Sequence, residues 1–433
     1  MNTLVNKDDS FSKSEKDVVK ILSFGTFLEY FDTFLFVHLS PLLATNFFSL
    51  EQKSNALILG AAYYSTNILR PIGALILGII GDRIGRLYVL WMTIFITGIC
   101  GLGMVFLPTY AQIGVVASWV MVALRSLQGV CSMGEIVNAK IYVQEYFKGR
   151  KKAAALCLIS IGCFFGGQSS IYTIILTLEH NINFRLIFMV GFIVFLMGIK
   201  YRKQLYENRT FTKVLSKSTK KIKKDIPTNT KDIKLSTRLC ISAIVASSMG
   251  QILWSLAFII INPYIEKTFN FSNLDIAYHN SIANWPYFLT FLGFYYITKR
   301  VYPGWVSLVR HVTLIPLLLA IPFVIGSNPS YHMISFFQIL LVLCASDPTF
   351  DCLLIQNTPI LKRSTISLIS FAAGKILGLF AFYLLTVSDL VSNIGFWAYP
   401  AVCIPIAIIS LLGVINMISI DRANDKGFHK YYG

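Results

Sequence analysis

The chain has 433 residues, of which 55% are hydrophobic and only 14% charged, and its mean hydropathy is +0.63. A soluble protein carries about a quarter charged residues, so an ordinary soluble enzyme, a secreted disulfide scaffold and a disordered chain are all excluded. The net charge of +17 would point to nucleic acid on a soluble protein. On a chain this apolar it points instead to Lys and Arg massed in cytoplasmic loops.

Twelve apolar runs are each long enough to cross a bilayer as helices. In chain order they cover 20–46, 56–80, 88–108, 114–146, 153–177, 184–200, 239–263, 278–298, 306–326, 331–358, 364–388 and 394–418. The predicted fold class is thus an all-α integral membrane protein with twelve transmembrane helices in two six-helix bundles. A polar N-terminal tail, 1–19, precedes the bundle of 20–200. A basic linker, 201–238, separates it from the bundle of 239–418, and a tail, 419–433, follows. The first apolar run is too long for a signal-peptide h-region, so cleavage is not expected.

Twelve spans put both ends on one side. With the N-terminus cytoplasmic, thirty Lys and Arg fall on the inside segments and three outside, at Lys53, Arg185 and Lys267. This asymmetry predicts cytoplasmic termini and accounts for the charge without nucleic acid. The linker, Lys-rich over 213–224, reads as a solvated connector or as a segment resting on anionic lipid. Neither the eight Cys nor the six His show ligand spacing, and no phosphate-binding glycine loop appears, so no metal, cofactor or ATP engine is expected.

Five basic residues lie inside the spans: Arg70, Arg125, Lys140, Arg310 and Lys375. The acids inside them are Glu29, Asp32, Glu135, Asp347 and Asp351. A charge at a helix centre costs roughly 2.5–3.5 kcal/mol on insertion scales, so such residues line a polar path by default. In helix 1, Glu29 and Asp32 share a face, roughly 13 and 18 Å deep at 1.5 Å per residue. Two carboxylates there cannot both stay ionised without partners, which suits groups that take up and release a proton. A static ion pair with Arg70 or Arg125 is the other reading. Arg125 in helix 4 needs a carboxylate or a substrate oxygen. In helix 10, Asp347 and Asp351 share a face, Pro348 between them should kink the helix, and Lys375 of helix 11 is the expected cation for the pair. Either structural pairing or a substrate or proton site fits those three residues.

Loop 2–3 runs Gly78-Ile79-Ile80-Gly81-Asp82-Arg83-Ile84-Gly85-Arg86. Asp82 can face the positive N-terminal end of helix 11 near Ser364. Arg83 and Arg86 can pair with acids at neighbouring helix ends, such as Glu145. Contacts of this kind would serve as a cytoplasmic gate.

Residues 78–86 resemble the loop motif G-x-x-x-D-R-x-G-R of the major facilitator superfamily, and Arg125-x-x-Gln128-Gly129 resembles its helix 4 motif. Within the superfamily the chain resembles the metabolite:proton symporters, nearest the proline/betaine branch. Glu29-Tyr30-Phe31-Asp32, Arg70-Pro71-Ile72-Gly73, Gly134-Glu135 and Glu145-Tyr146 carry that likeness. Helix 5 reads Gly162-Cys163-Phe164-Phe165-Gly166-Gly167-Gln168 and lacks the antiporter proline pattern. The chain departs from the family at Tyr296-Ile297-Thr298-Lys299-Arg300, where the repeated loop motif lacks its acid, and at Lys140 and Lys375, where small or neutral residues are usual. It also lacks the C-terminal coiled coil of some osmosensing members. Residue usage suggests an AT-rich bacterial genome.

The resemblance implies import of a small polar metabolite with a proton, across a bacterial inner membrane, by rocking of the two bundles about a midplane cavity. Its partners would be that metabolite, the proton and the bilayer, and a monomer would suffice. Glu29, Asp32 and Glu135 are the candidates for proton coupling. Arg70, Arg125 and Gln128 are candidates for holding substrate or tuning those acids, and Asp347, Asp351 and Lys375 form a second-bundle site. Gly78, Asp82, Arg83, Gly85, Arg86 and Glu145 form the gate. A zwitterion such as proline or glycine betaine fits a cavity of both signs, and an organic anion such as α-ketoglutarate or citrate fits the added lysines. A transport-dead sensor is a different class of reading. An enzyme is not expected, since no catalytic constellation appears.

Overall fold

The computed structural model describes residues 11–48, 69–180, 182–206, 237–326, 329–386, 390–424 and 427–432. Within these, twelve helical segments run back and forth: α1 (Lys13–Phe47), α2 (Arg70–Arg83), α3 (Arg86–Phe106), α4 (Val115–Tyr146), α5 (Lys151–His180), α6 (Phe184–Arg202), α7 (Thr237–Phe269), α8 (Asn273–Ile297), α9 (Pro303–Leu319), α10 (Tyr331–Asn357), α11 (Arg363–Thr386) and α12 (Ala398–Ala423). Eight of the helices are long and apolar enough to cross a membrane by length and composition alone. Residues 56–68 of the expected second span and 207–236 of the linker lie outside the described residues.

Local chemistry sets several ends. Helix α1 starts at Lys13 rather than at residue 20, because Ser12 and Glu15 form a reciprocal N-terminal cap: the Ser12 amide donates to Glu15 Oε2 (2.8 Å) and the Glu15 amide to Ser12 Oγ (3.3 Å). Ser272 and Asp275 cap α8 in the same way. Helix α7 carries a π turn at Leu256–Ile260. Pro263, just beyond, has no amide to continue the regular ladder, and the Ile261 amide reaches back to the Leu256 carbonyl. Helix α10 is broken rather than kinked. Asp347 takes a non-helical conformation and caps a new helix whose first residue is Pro348, and its carboxylate accepts from the Phe350 amide (3.0 Å). The shared face expected of Asp347 and Asp351 is therefore absent.

Helices α1–α6 and α7–α12 pack as two bundles that meet along α2 against α11 and α5 against α8. Exchanging each helix of the first contact for its equivalent in the other half, α2 for α8 and α11 for α5, gives the second, as a two-fold relation between halves requires. The outer faces carry large apolar side chains in the open, among them Phe106 (74% exposed) and Trp119 (69%). On this scale exposed apolar surface calls for lipid.

Small residues set the closest crossing. A Cβ on Gly162 would strike the Ser23 carbonyl, and one on Gly166 the Phe27 carbonyl. Residues 162 and 166 thus let α5 lie against the α1 backbone, which holds the Glu29 turn in place. Gly166→Val should lower stability by about 1–3 kcal/mol or more, the usual cost of overpacking. Gly101→Ala, where nothing lies within 4 Å, should have no such effect. Thermal unfolding of the purified protein in detergent distinguishes them.

Candidate functional site

Helix α1 presents two different faces. Tyr30, Thr33, Phe34 and His38 border a cavity of about 210 Å³ between the bundles. Gly25, Leu28, Glu29, Asp32 and Leu35 border a smaller cavity of about 50 Å³ enclosed within the first bundle. The spacing of three and four residues on each face is that of one helix turned toward two spaces. The Thr33 hydroxyl crosses the divide and donates to Glu29 Oε1 (3.2 Å).

The acids of the inner cavity differ in their partners. Asp32 meets Arg125 at 3.3 Å. Gln128 accepts from the Arg125 guanidinium (2.8 Å) and donates to the Thr97 carbonyl (3.3 Å), so Gln128 orients the arginine. The guanidinium also lies over the rings of Phe36 (4.3 Å) and Phe188 (4.9 Å). Glu135 is 3% exposed and is held by Arg202 and by the Thr93 hydroxyl (3.1 Å). Arg202 also donates to the Leu90 carbonyl. The sequence reading counted Arg202 among the solvated linker charges and Glu135 among the proton carriers. The structure corrects the first, since α6 runs through Arg202 and its side chain turns inward, and it gives Glu135 an ion partner. The signal for it was the depth of Glu135, an acid with no basic residue one turn away on its own helix. Gly25 leaves the room this pair occupies, since a Cβ there would meet both charged groups.

Four cations and two carboxylates border the central cavity: Arg70, Lys140, Arg310, Lys375, Asp347 and Asp351. The pairing expected of Lys375 with the two aspartates is not found. Asp347 pairs with Arg310 of α9 (3.3 Å) and accepts from Ser307 (2.5 Å). Asp351 pairs with Lys140 of α4 (2.5 Å), across the gap between bundles. The break in α10 turns Asp347 toward α9 and leaves Asp351 alone to face α4. Aromatic rings of Tyr30, Phe34, Trp254, Phe258 and Phe371 complete the wall.

The face that carries the start of α1 and the end of α12 is closed by contacts from residues 78–86. Both Asp82 oxygens accept amides at the start of α11, from Ser364 and Thr365, each at 2.9 Å. These amides have no partners within their own helix, and their positive end favours a carboxylate. Gly78 permits the approach, because a Cβ there would stand 2.6 Å from Thr365 Cα. Gly85, with φ +146°, makes the turn into α3. Arg86 is fully buried and binds Asp82 (3.2 Å), Glu145 (3.1 Å) and the Ile360 carbonyl (2.5 Å). Among the described residues Arg83 joins no acid, contrary to expectation. It points outward, and Arg363 takes its place on Glu145 (3.1 Å). Toward the opposite face, Gln168 of α5 donates to the Ser281 carbonyl (3.1 Å) and accepts from Asn284 (3.0 Å) of α8.

Two six-helix bundles facing each other across one charged cavity define a class of multi-pass membrane protein. The sequence profile of the Major Facilitator Superfamily matches residues 22–356, and the chain belongs to that superfamily. Among curated relatives, a Staphylococcus aureus (strain COL) protein named "Putative proline/betaine transporter" is 31% identical over 209 residues, 46% of this chain and 45% of that one. The "Citrate-proton symporter" of Salmonella typhi is 30% identical over 200 residues, 43% of this chain and 45% of that one. The matched stretch spans less than half of these relatives. Among solved structures, the proton:xylose symporter XylE bound to 6-bromo-6-deoxy-D-glucose superposes with a TM-score of 0.71 at 16% identity, covering 93% of this chain and 95% of that one. The human organic anion transporter MFSD10 does so with 0.60 at 14% identity, covering 94% and 100%. At these identities the likeness is one of fold.

Removing one partner from a buried ion pair strands the other charge at a cost of about 3–5 kcal/mol. Arg202→Met should therefore destabilise the protein strongly, and the double variant Glu135→Met/Arg202→Met should recover most of the loss. Equal unfolding temperatures for single and double variants would show that the two side chains do not act as a pair.

Proposed function

We propose that this protein is a proton-coupled symporter that imports a small polar metabolite by alternating access, with a zwitterion such as proline or glycine betaine as the first choice of substrate. The observation that carries the reading is the position of α1 between two spaces. One face borders the cavity shared by the bundles, and the other presents Glu29 and Asp32, with Thr33 linking the two. A proton reaching Glu29 from the cavity changes the charge beside Asp32 and Arg125, and so changes how the first bundle holds itself. Glu135, engaged by Arg202, serves that bundle as a fixed counter-ion.

Both signs of charge and several aromatic faces suit a zwitterion: a carboxylate finds cations, and an ammonium finds carboxylates and ring faces. The names of the staphylococcal relatives support this choice. One observation favours a second reading. Among the described residues the central cavity is bordered by two more cations than carboxylates, which suits an organic anion, and the relative named for citrate agrees.

The charge asymmetry of the loops supports cytoplasmic termini in a bacterial inner membrane. The contacts of Asp82, Arg86, Glu145 and Arg363 then form the cytoplasmic gate. They must break for release, and each joins groups that water can solvate when the bundles part.

Proteoliposomes test the function directly. Radiolabelled proline, glycine betaine, citrate and α-ketoglutarate are offered with and without an imposed pH gradient. Accumulation of proline or betaine that depends on the gradient is expected, and accumulation of only the di- or tricarboxylates would replace the first choice with the second. No gradient-driven accumulation of any of them would sink the symporter reading. Glu29→Gln and Asp32→Asn should each cut gradient-driven accumulation at least tenfold, and at least one should spare substrate exchange. Wild-type accumulation in both would remove them from the mechanism.

A further inference from the structure

Two lysine ammonium groups sit over one aromatic ring in the central cavity. Lys375 Nζ lies 5.2 Å from the Phe371 centroid and Lys140 Nζ 5.5 Å from it. Lys375 and Phe371 stand one turn apart on α11, while Lys140 reaches over from α4 in the other bundle. Their circumstances differ. Lys140 is paired at 2.5 Å with Asp351, whereas Lys375 has no ion pair or hydrogen bond among the described residues. An ammonium set in a protein interior with only a ring for company has lost most of its hydration without a full replacement. The Phe371 face offsets part of that loss, and an anion would offset the rest. Arg70 borders the same cavity, which further raises the local potential for a negative group.

We propose that Lys375 and Lys140, flanking Phe371, form the seat for a carboxylate of the transported molecule, and that Asp351 occupies half of that seat when the carrier is empty. The arriving carboxylate binds Lys375 and draws Lys140 away from Asp351. Lys140 belongs to the first bundle and Asp351 to the second, so this exchange undoes an ion pair that joins them. Loading of the cavity is thereby coupled to freedom of the bundles to rock. The proposal rests on the carrier reading and narrows it to substrates that bear a carboxylate, zwitterionic or anionic.

Equilibrium binding to the full chain in detergent tests the seat without requiring transport. Tritiated L-proline, glycine betaine and citrate are the probes, and their methyl esters are the competitors. In the wild type at least one acid should bind and outcompete its ester by tenfold or more. Lys375→Gln and Lys375→Met should abolish that preference, and Lys375→Arg should keep it. The Gln and Met variants remove a charge that has no ion pair or hydrogen bond among the described residues, so they should fold as well as the parent. Asp351→Asn should tighten carboxylate binding severalfold, because the resident competitor is gone. The seat is overturned if none of the three acids binds, if acid and ester compete equally in the wild type, if Lys375→Gln keeps the preference, or if Asp351→Asn weakens binding. Carboxylate-selective binding without gradient-driven uptake would leave the seat standing and remove the symporter. Gradient-driven uptake that the ester inhibits as well as the acid does would leave the symporter standing and remove the seat.

Discussion

An ionised side chain in the hydrocarbon layer is unfavourable by a few kcal/mol unless it meets an opposite charge, a dipole or water. The inner architecture of this protein follows from that constraint. Arg125 is met by Asp32, Arg202 by Glu135, Arg310 by Asp347 and Lys140 by Asp351. Each pair joins two different helices, and only Arg310–Asp347 among these four joins helices consecutive in the chain. The pairs therefore hold helices at set rotations, where the uniform apolar surfaces around them would allow many.

The pairs fall into two kinds with different consequences. Asp32–Arg125 and Glu135–Arg202 lie within the first bundle, and Arg310–Asp347 lies within the second. Such pairs brace a bundle from within. Lys140–Asp351, Arg363–Glu145 and the seat of Asp82 on the first amides of α11 cross from one bundle to the other. These hold only while the bundles are apposed at that place. A wholly apolar interface would lack this property, because lipid chains replace apolar contacts at little cost, whereas a parted ion pair must find water or a ligand.

Much of the fold was legible in the sequence because the bilayer imposes a length on every span and water imposes a composition on every loop. The contact of Asp82 with the start of α11 was legible for a related reason: a carboxylate in a short turn beside a helix N-terminus has few other places to go. Side-chain partners inside the bundles were harder to read. Lys375 looked like the counter-ion of Asp347 and Asp351 because it lies on the next helix, but neighbouring helices in sequence need not turn the same faces to each other. Pro348 showed that α10 would be disturbed. It did not show that Asp347 would become a helix cap and turn to Arg310, an outcome that depends on Asp and Pro acting together. Arg202 was hidden by its company. It sits beside Lys200 and Lys203 at the start of a basic linker, and only the depth of Glu135 marks it as different.

The division of α1 ties these threads together. A helix lining one cavity can bind substrate, and a helix lining another can hold a proton, but a single helix lining both makes the two occupancies interdependent. Thr33 borders the cavity between the bundles while bonded to Glu29, which borders the inner one. Gly162 and Gly166 hold the backbone of the same turn against α5, so the turn cannot relax around a charge change by drifting away. A change in the charge of Glu29 must then be answered by side chains, and Thr33, bonded to it, borders the cavity between the bundles. Coupling of this kind needs no long pathway through the protein, only a rigid wall thin enough that both sides sense the same carboxylate.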